Sequence, residues 1–496
     1  MPNRPGLRIE TAVILAGRSK AKVKTLFIGF LVLLSVPDVL GSSQTRPGPT
    51  AANSPSLVIL HVSIIDATGT PAQPDMAVTI QGNRIVRITK SGKAKLPANA
   101  TVLDARGKFL IPGLWDMHVH TIFGDWIPGG KEVSLPLFVA NGVTGVRDMG
   151  GDLDTLLEWR KQIASGTLLG PRMIIAGPML DGPKSRFPSS VSIASPEEGR
   201  KAVDDLKAKG VDFIKVQSFI QRDAYFAVAD EAKKQGMVLV GHVPDAVRAS
   251  ETVAAGQKSI EHLTGVFEGC SKAEDQFLKG PKGPLRFLQT YDPALCAALI
   301  DNFARNRTWQ VPTLVWERGQ WLVDVTDISR DPNLKYAPLS WQKKSWPEFT
   351  RGIIADLDTD PVADRRRFVQ KELEVIKAMR DAHVPLMAGT DTAAGVDVLP
   401  GFSLHAELEY FVEAGLTPME ALQTATRNPA EFLGLLSETG TVEKNKTANL
   451  VLLDANPLED IRNARTIWAV VLNGRLLTRQ DLDEVLERIS AFATVH

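Results

Sequence analysis

The chain has 496 residues, 44% hydrophobic and 23% charged, which fits one large globular domain with a smaller companion. Lysine plus arginine and aspartate plus glutamate both number 57. The formal net charge of zero leaves no electrostatic footprint for nucleic acid and no pull toward anionic membrane surfaces.

At the N-terminus, Arg18, Lys20, Lys22 and Lys24 precede an apolar run from Leu26 to Val36, with Val39-Leu40-Gly41 after it. Charged, apolar, then small is the order of a secretory signal, here spanning residues 1–41. The run is short for a membrane span. An exported protein, periplasmic or extracellular, is the expectation. An uncleaved N-terminal anchor is the alternative, and the only membrane contact foreseen. No cysteine follows the apolar run, so a lipid anchor is not supported. Residues 42–55 are rich in serine, proline, threonine and glycine and read as a linker.

Residues 56–112 read as short β-strands. Leu57–Leu60, Ala77–Ile80 and Ile85–Ile88 are β-rich runs, and Gly82-Asn83 is a turn signal between the last two. The same texture returns at Asn449–Asp454 and Ile467–Leu472, followed by Asn473-Gly474. Residues 56–112 and 440–496, the latter ending in a helix, are therefore expected to build one small β-sandwich from both chain ends.

Residues 113–439 alternate short apolar strands with helical patterns, the mark of a parallel α/β sheet. Eight candidate strands stand out: Leu114–His120, Thr144–Met149, Met173–Ala176, Phe213–Val216, Val238–Val243, Ser259–Leu263, Gln310–Leu314 and Leu386–Asp391. Pro196–Lys209 and Arg222–Gln235 are two of the helices expected between them. Eight such units over this length predict a (β/α)8 TIM barrel. Gly265–Arg307 and Trp316–Arg365 exceed what a βα loop needs and are expected to cover the barrel mouth. The only cysteines, Cys270 and Cys296, fall in the first of these insertions. In an oxidising compartment they can pair; two separate buried thiols are the alternative.

Four of the eight histidines end candidate strands, at the face where a TIM barrel places its active site. His118 and His120 are two apart on the first strand, so alternation puts both on one face. His242 ends the fifth strand and His262 the sixth. Glu261, adjacent to His262, is expected on the opposite face, in a structural role or supporting the ligands from behind. Asp391 ends the eighth strand, where a carboxylate is costly unless it pairs or binds a metal. Lys215 lies inside an apolar strand, where burial lowers a lysine's pKa. A neutral amine there can take up CO₂ as a carbamate; an ion-paired lysine at a strand end is the other reading. His405, Glu407 and Glu409 read as helix packing and surface charge. His61, His383 and His496 fall away from the predicted face.

The ordered set resembles the amidohydrolase superfamily from Ser56 to about Leu477, in its imidazolonepropionase-like and prolidase-like branch. The pieces are Leu110–His120, the Lys215, His242 and His262 strands, Gly389-Thr390-Asp391, Gly415–Leu422 and Gly440–Val451. The resemblance implies two divalent ions, zinc in most relatives. His118, His120 and Asp391 would hold one, and His242 and His262 the other, with carboxylated Lys215 bridging. A hydroxide between the ions would attack an amide carbonyl, and Asp391 would move the proton to the leaving amine. A single ion with unmodified Lys215 is the rival arrangement. A dipeptide or N-acyl amino acid is the expected substrate. A cyclic amide, lactone or phosphotriester on the same site is the alternative, and a non-catalytic binding protein the remote one.

Two loops depart from the dipeptidase branch: Gly177–Phe187 carries no histidine, and Gln217-Ser218-Phe219-Ile220 replaces Ser-Gly-Gly. Arg147, Lys184 and Arg186 are candidates to receive a substrate carboxylate. The partner foreseen is a small molecule, with a homo-oligomer left open.

Overall fold

The computed structural model describes residues 56–124, 127–187, 189–357 and 360–496; the signal and linker read at residues 1–55 lie outside them. The N-terminal part supplies β1 (Ser56–Ile64), β2 (Gln73–Gln81), β3 (Arg84–Lys90), β4 (Thr101–Asp104) and β5 (Phe109–Pro112). The β2–β3 turn is the expected Gly82-Asn83, with Gly82 at φ +56°, as a tight antiparallel hairpin requires.

The middle of the chain follows with β6 (Leu114–Val119), β7 (Val143–Asp148), β8 (Arg172–Ile175), β9 (Leu180–Asp181), β10 (Val191–Ser192), β11 (Phe213–Val216), β12 (Val238–Gly241), β13 (Ser259–Glu261) and β14 (Trp309–Val311). All pair in parallel, in the orders β6-β7-β8 and β10-β9-β11-β12-β13-β14. β6, β7 and β11 are buried along their whole length, as strands covered on both faces must be. The crossovers are the expected helices. Pro196–Ala208 starts where the Ser195 side chain accepts from Glu198 N, and buries Ala202, Val203 and Leu206. Arg222–Lys234 buries Ala224, Tyr225, Ala227 and Val228.

The eighth predicted strand is corrected. Residues 386–392 belong to neither sheet and form only isolated bridges, from Leu386 to Gln310 and from Thr392 to Val119. They still bond to both sides: Met387 N donates to Gln310 O (3.0 Å), Met117 N to Ala388 O (2.9 Å), and Asp391 N to His118 O (2.8 Å). A Cβ on Gly389 would lie 2.5 Å from Val311 and 2.8 Å from His118 Cβ. Asp391 itself is left-handed at φ +56°. Close approach and a turned backbone interrupt the ladder there.

The two insertions are helical. Val266–Gly269, Glu274–Phe277, Pro284–Thr290 and Pro293–Asn306 make the first, in which Cys270 and Cys296 form a disulfide. Leu314–Trp321, Trp346–Leu357 and Val362–Asp381 make most of the second.

The chain returns as β15 (Leu450–Leu453), β16 (Ile467–Leu472) and β17 (Arg475–Leu477), then a helix from Arg479 to Ala493. β15 pairs antiparallel with β5, joining both chain ends in one eight-stranded sheet, β17-β16-β15-β5-β1-β2-β3 with β4 on β1. Both chain ends thus join one continuously bonded sheet. The Asn473-Gly474 turn abuts the Gly82-Asn83 turn, with Asn83 Nδ2 donating to Asn473 Oδ1 at 3.1 Å. Leu57, Ile59, Ile80, Leu450, Leu452 and Val471 form its core. Among the described residues no helix is long and apolar enough to cross a membrane.

Candidate metal centre

The histidines converge. His118 Nε2 and His120 Nε2 lie 3.3 and 3.2 Å from the same Asp391 Oδ1, and one ligand atom from each of the three residues falls within 4.8 Å of the others. His262 Nε2 is 3.8 Å from Asp391 Oδ2. The His242 ring centroid is 4.9 Å from that of His262. Lys215 is buried among them, and its charge acts on His118, His242 and His262.

Each ring is oriented from behind. His118 Nδ1 donates to Glu261 Oε2 at 2.9 Å, and His120 Nδ1 donates to the Gly150 carbonyl at 2.8 Å. His242 Nδ1 pairs with Ser218 Oγ (2.8 Å) and His262 Nδ1 with Thr313 Oγ1 (2.7 Å). Such partners fix ring tautomer and direction at metal sites. Ser218, in a loop that departs from the dipeptidase pattern, is one of them. Asp116 ties the Asp391 segment to β6, accepting from His118 N (3.2 Å), Thr390 N (3.1 Å) and Thr390 Oγ1 (2.7 Å). Burial pushes the Asp116 carboxyl up to about 7.

Glu261 is not turned away, as alternation predicted. It faces the same interior as His262, because β13 ends at Glu261 and His262 turns back with φ +58°. Arg147 is a second correction. It is fully buried, and its Nε donates to Met117 O (2.6 Å), Nη1 to Ser259 Oγ (3.1 Å) and Nη2 to Glu261 (2.9 Å). With every nitrogen engaged beneath the histidines, it cannot reach a substrate carboxylate. Its work is to hold Glu261 and, through it, His118.

The donor set fits divalent ions. Burial, then the nearby Lys215 charge, holds His118 and His242 well below the usual imidazole range; burial does the same for His262. They are therefore neutral at pH 7, the form in which an imidazole can bind a metal. With Nδ1–H of His118 and His120 committed elsewhere, their Nε2 lone pairs face Asp391 Oδ1, a buried oxygen with no hydrogen-bond donor. Lone pair against lone pair at these distances repels unless a cation lies between. His242 Nε2 and Lys215 Nζ are likewise buried without a partner.

The centre opens into a cavity of about 480 Å³, walled by both insertions and by the loop after β9. Arg186 lines it, its guanidinium 5.7 Å over the Phe219 ring. Lys184 is exposed in a separate depression beside Phe219 and Ala246. Glu317 and Glu372, singled out by no sequence pattern, also line the cavity.

His405 packs as expected, its Nε2 donating to Asn141 O at 3.1 Å. Glu407 is corrected from surface to core: fully buried, it accepts from Leu314 N (3.0 Å) and Val315 N (2.8 Å). It thereby caps, from another helix, the helix that carries Trp316 and Glu317. Burial pushes its carboxyl from 4.5 up to about 8. Between those values the folded state keeps a proton that the unfolded state has lost, so this group makes stability fall as pH rises. The melting temperature of the wild type is therefore expected to drop relative to Glu407→Gln between pH 5 and 8. Parallel profiles in scanning calorimetry would refute this.

The amidohydrolase family model matches residues 109–477. The chain belongs to the amidohydrolase family. Membership makes it a hydrolase of carbon–nitrogen bonds. Ochratoxinase from Aspergillus niger is 23% identical over 84% of this chain and 86% of its own. Imidazolonepropionase from Agrobacterium fabrum is 37% identical over 90 residues, 17% of this chain and 20% of its own. The solved structure of a Xaa-Pro dipeptidase with bound methionine covers 85% of this amidohydrolase and 100% of its own chain, with 21% identity and a TM-score of 0.63. That likeness gives the amidohydrolase a TIM-barrel-like α/β fold.

Proposed function

We propose that the protein hydrolyses an amide bond in a dipeptide or N-acyl amino acid at a two-ion centre. His118, His120 and Asp391 would hold one ion and His242 and His262 the other, with carboxylated Lys215 completing the donor set; zinc suits this imidazole and carboxylate set. Ions held there would supply Lewis acidity toward an amide carbonyl and toward a water at neutral pH. Asp391 accepts a proton from the attacking water and delivers it to the leaving nitrogen, so the C–N bond breaks to a carboxylic acid and an amine. Glu261, Ser218 and Thr313 hold the imidazoles, and the insertions wall the cavity. The observation that carries this reading is the pair of imidazole lone pairs aimed at the orphaned Oδ1 of Asp391.

Residues 113–439 are read as a closed hydrolase barrel, and 56–112 with 440–496 as its β domain. Export is proposed from the pattern at residues 18–41, and the Cys270–Cys296 disulfide suits an oxidising compartment.

The test is a panel of dipeptides and N-acyl amino acids given to zinc- or manganese-loaded protein, with released amine as the readout. Amide turnover that chelation abolishes is expected. Cleavage of lactones or cyclic amides alone would overturn the substrate class, and no cleavage of any member would overturn the enzyme.

A further inference from the structure

Glu317 lies on the helix Leu314–Trp321 and Glu372 on the helix Val362–Asp381. They are only 5% and 3% exposed, yet both face the cavity that opens onto His118, His262 and Asp391. They stand together: the Trp321 indole N–H donates to Glu372 Oε1 at 3.2 Å and also bears on Glu317. Among the described residues, the charged groups that act on Glu317 are the acids Glu372, Asp391 and Glu407, while burial and the Trp321 indole act on Glu372. Among the described residues of the cavity wall, Lys282 is held by Asp245 and Glu268, each at 2.9 Å, and Arg186 sits over Phe219. Two buried carboxyls without a counter-ion are costly to a fold, and the hydrolytic chemistry uses neither.

The walls around them are aromatic. Phe368 packs 4.5 Å from Phe267 and 5.5 Å from Trp321, edge to face. Trp316, the residue before Glu317, lies 5.2 Å from the His262 ring. Paired acids inside an aromatic cage, one side chain away from the candidate ligands, match an organic cation on an apolar stem. Resting on the amide-hydrolase reading above, we propose that Glu317 and Glu372 form a cation subsite, and that the preferred substrate carries an ammonium or guanidinium side chain. Burial holds Glu372 up at about 8 and raises Glu317 as well, with Glu372 and then Asp391 adding repulsion. A bound cation removes that repulsion.

The test pairs each lysine- or arginine-containing dipeptide and N-acyl amino acid with its norleucine counterpart, varied on either side of the amide. The loaded wild-type protein is expected to favour the cationic member by about tenfold or more in kcat/KM. Glu317→Gln and Glu372→Gln, which keep side-chain volume, should each shrink that ratio toward one, mainly through KM. A wild-type ratio of one or less, or a ratio unchanged in Glu317→Gln, overturns the subsite. If neither member of any pair is cleaved, the amide reading fails, and the subsite is decided by calorimetry with n-butylamine and butylguanidine. Binding to the wild type that Glu317→Gln loses sustains it; no binding to the wild type overturns it.

Discussion

Asp391→Asn is expected to lower kcat by about 10³-fold, the scale of losing a positioned acid–base group. The amide fills the same space, so the turn at Thr390-Asp391-Thr392, bonded through Asp116 and the His118 carbonyl, should survive. What disappears is the anionic oxygen between His118 and His120, and with it the proton carrier. The expected pattern is a large fall in kcat with a small change in melting temperature. The measurement is steady-state kinetics beside a thermal melt of the same preparation. An Asp391→Asn variant that keeps most of the wild-type kcat would remove Asp391 from the chemistry. A variant that fails to fold would be replaced by Asp391→Glu, which retains the charge and shifts its position.

Lys215→Ala carries the second large effect, about 10²-fold or more in kcat, the scale of losing a ligand-set anion at a metal centre. Burial brings the Lys215 amine down to about 8, so a sizeable neutral fraction exists at working pH. That nitrogen can bond to the carbon of CO₂ and release one proton, leaving an anionic carbamate. The variant keeps the cavity and loses the anion. Added acetate or propionate should restore part of the rate by occupying the vacated space. The wild-type protein, stripped and reloaded in CO₂-free buffer, should recover slowly and be accelerated by bicarbonate. Full activity in Lys215→Ala, or recovery indifferent to bicarbonate, would contradict a carbamate role.

Much of the centre was legible in the sequence because period-two alternation is rigid. His118 and His120 had to share a face, and strand ends had to share a rim. The same rule failed at Glu261, since it assumes extended backbone and His262 is left-handed. Arg147 was misread for a related reason. A strand arginine looks like a ligand-binding group until its buried partners, Ser259 and Glu261, arrive from 112 and 114 residues away. Glu317, Glu372 and Glu407 left no signal, because helical acids are ordinary on surfaces and only tertiary packing buried these. An eighth strand was expected from the apolar run, but Gly389 lets that segment press against His118 too closely for a regular ladder. The β texture was visible at both ends and suggested that they meet; which strands join them, β5 with β15, lay beyond what local patterns reveal.

The most direct measurement is metal content per chain in fully active protein, titrated from the stripped state while amide turnover is followed. Activity should climb until two ions are bound per chain, and Lys215→Ala should saturate near one. Full wild-type activity at one ion per chain, or in protein stripped of metal, would contradict the bridged two-ion centre.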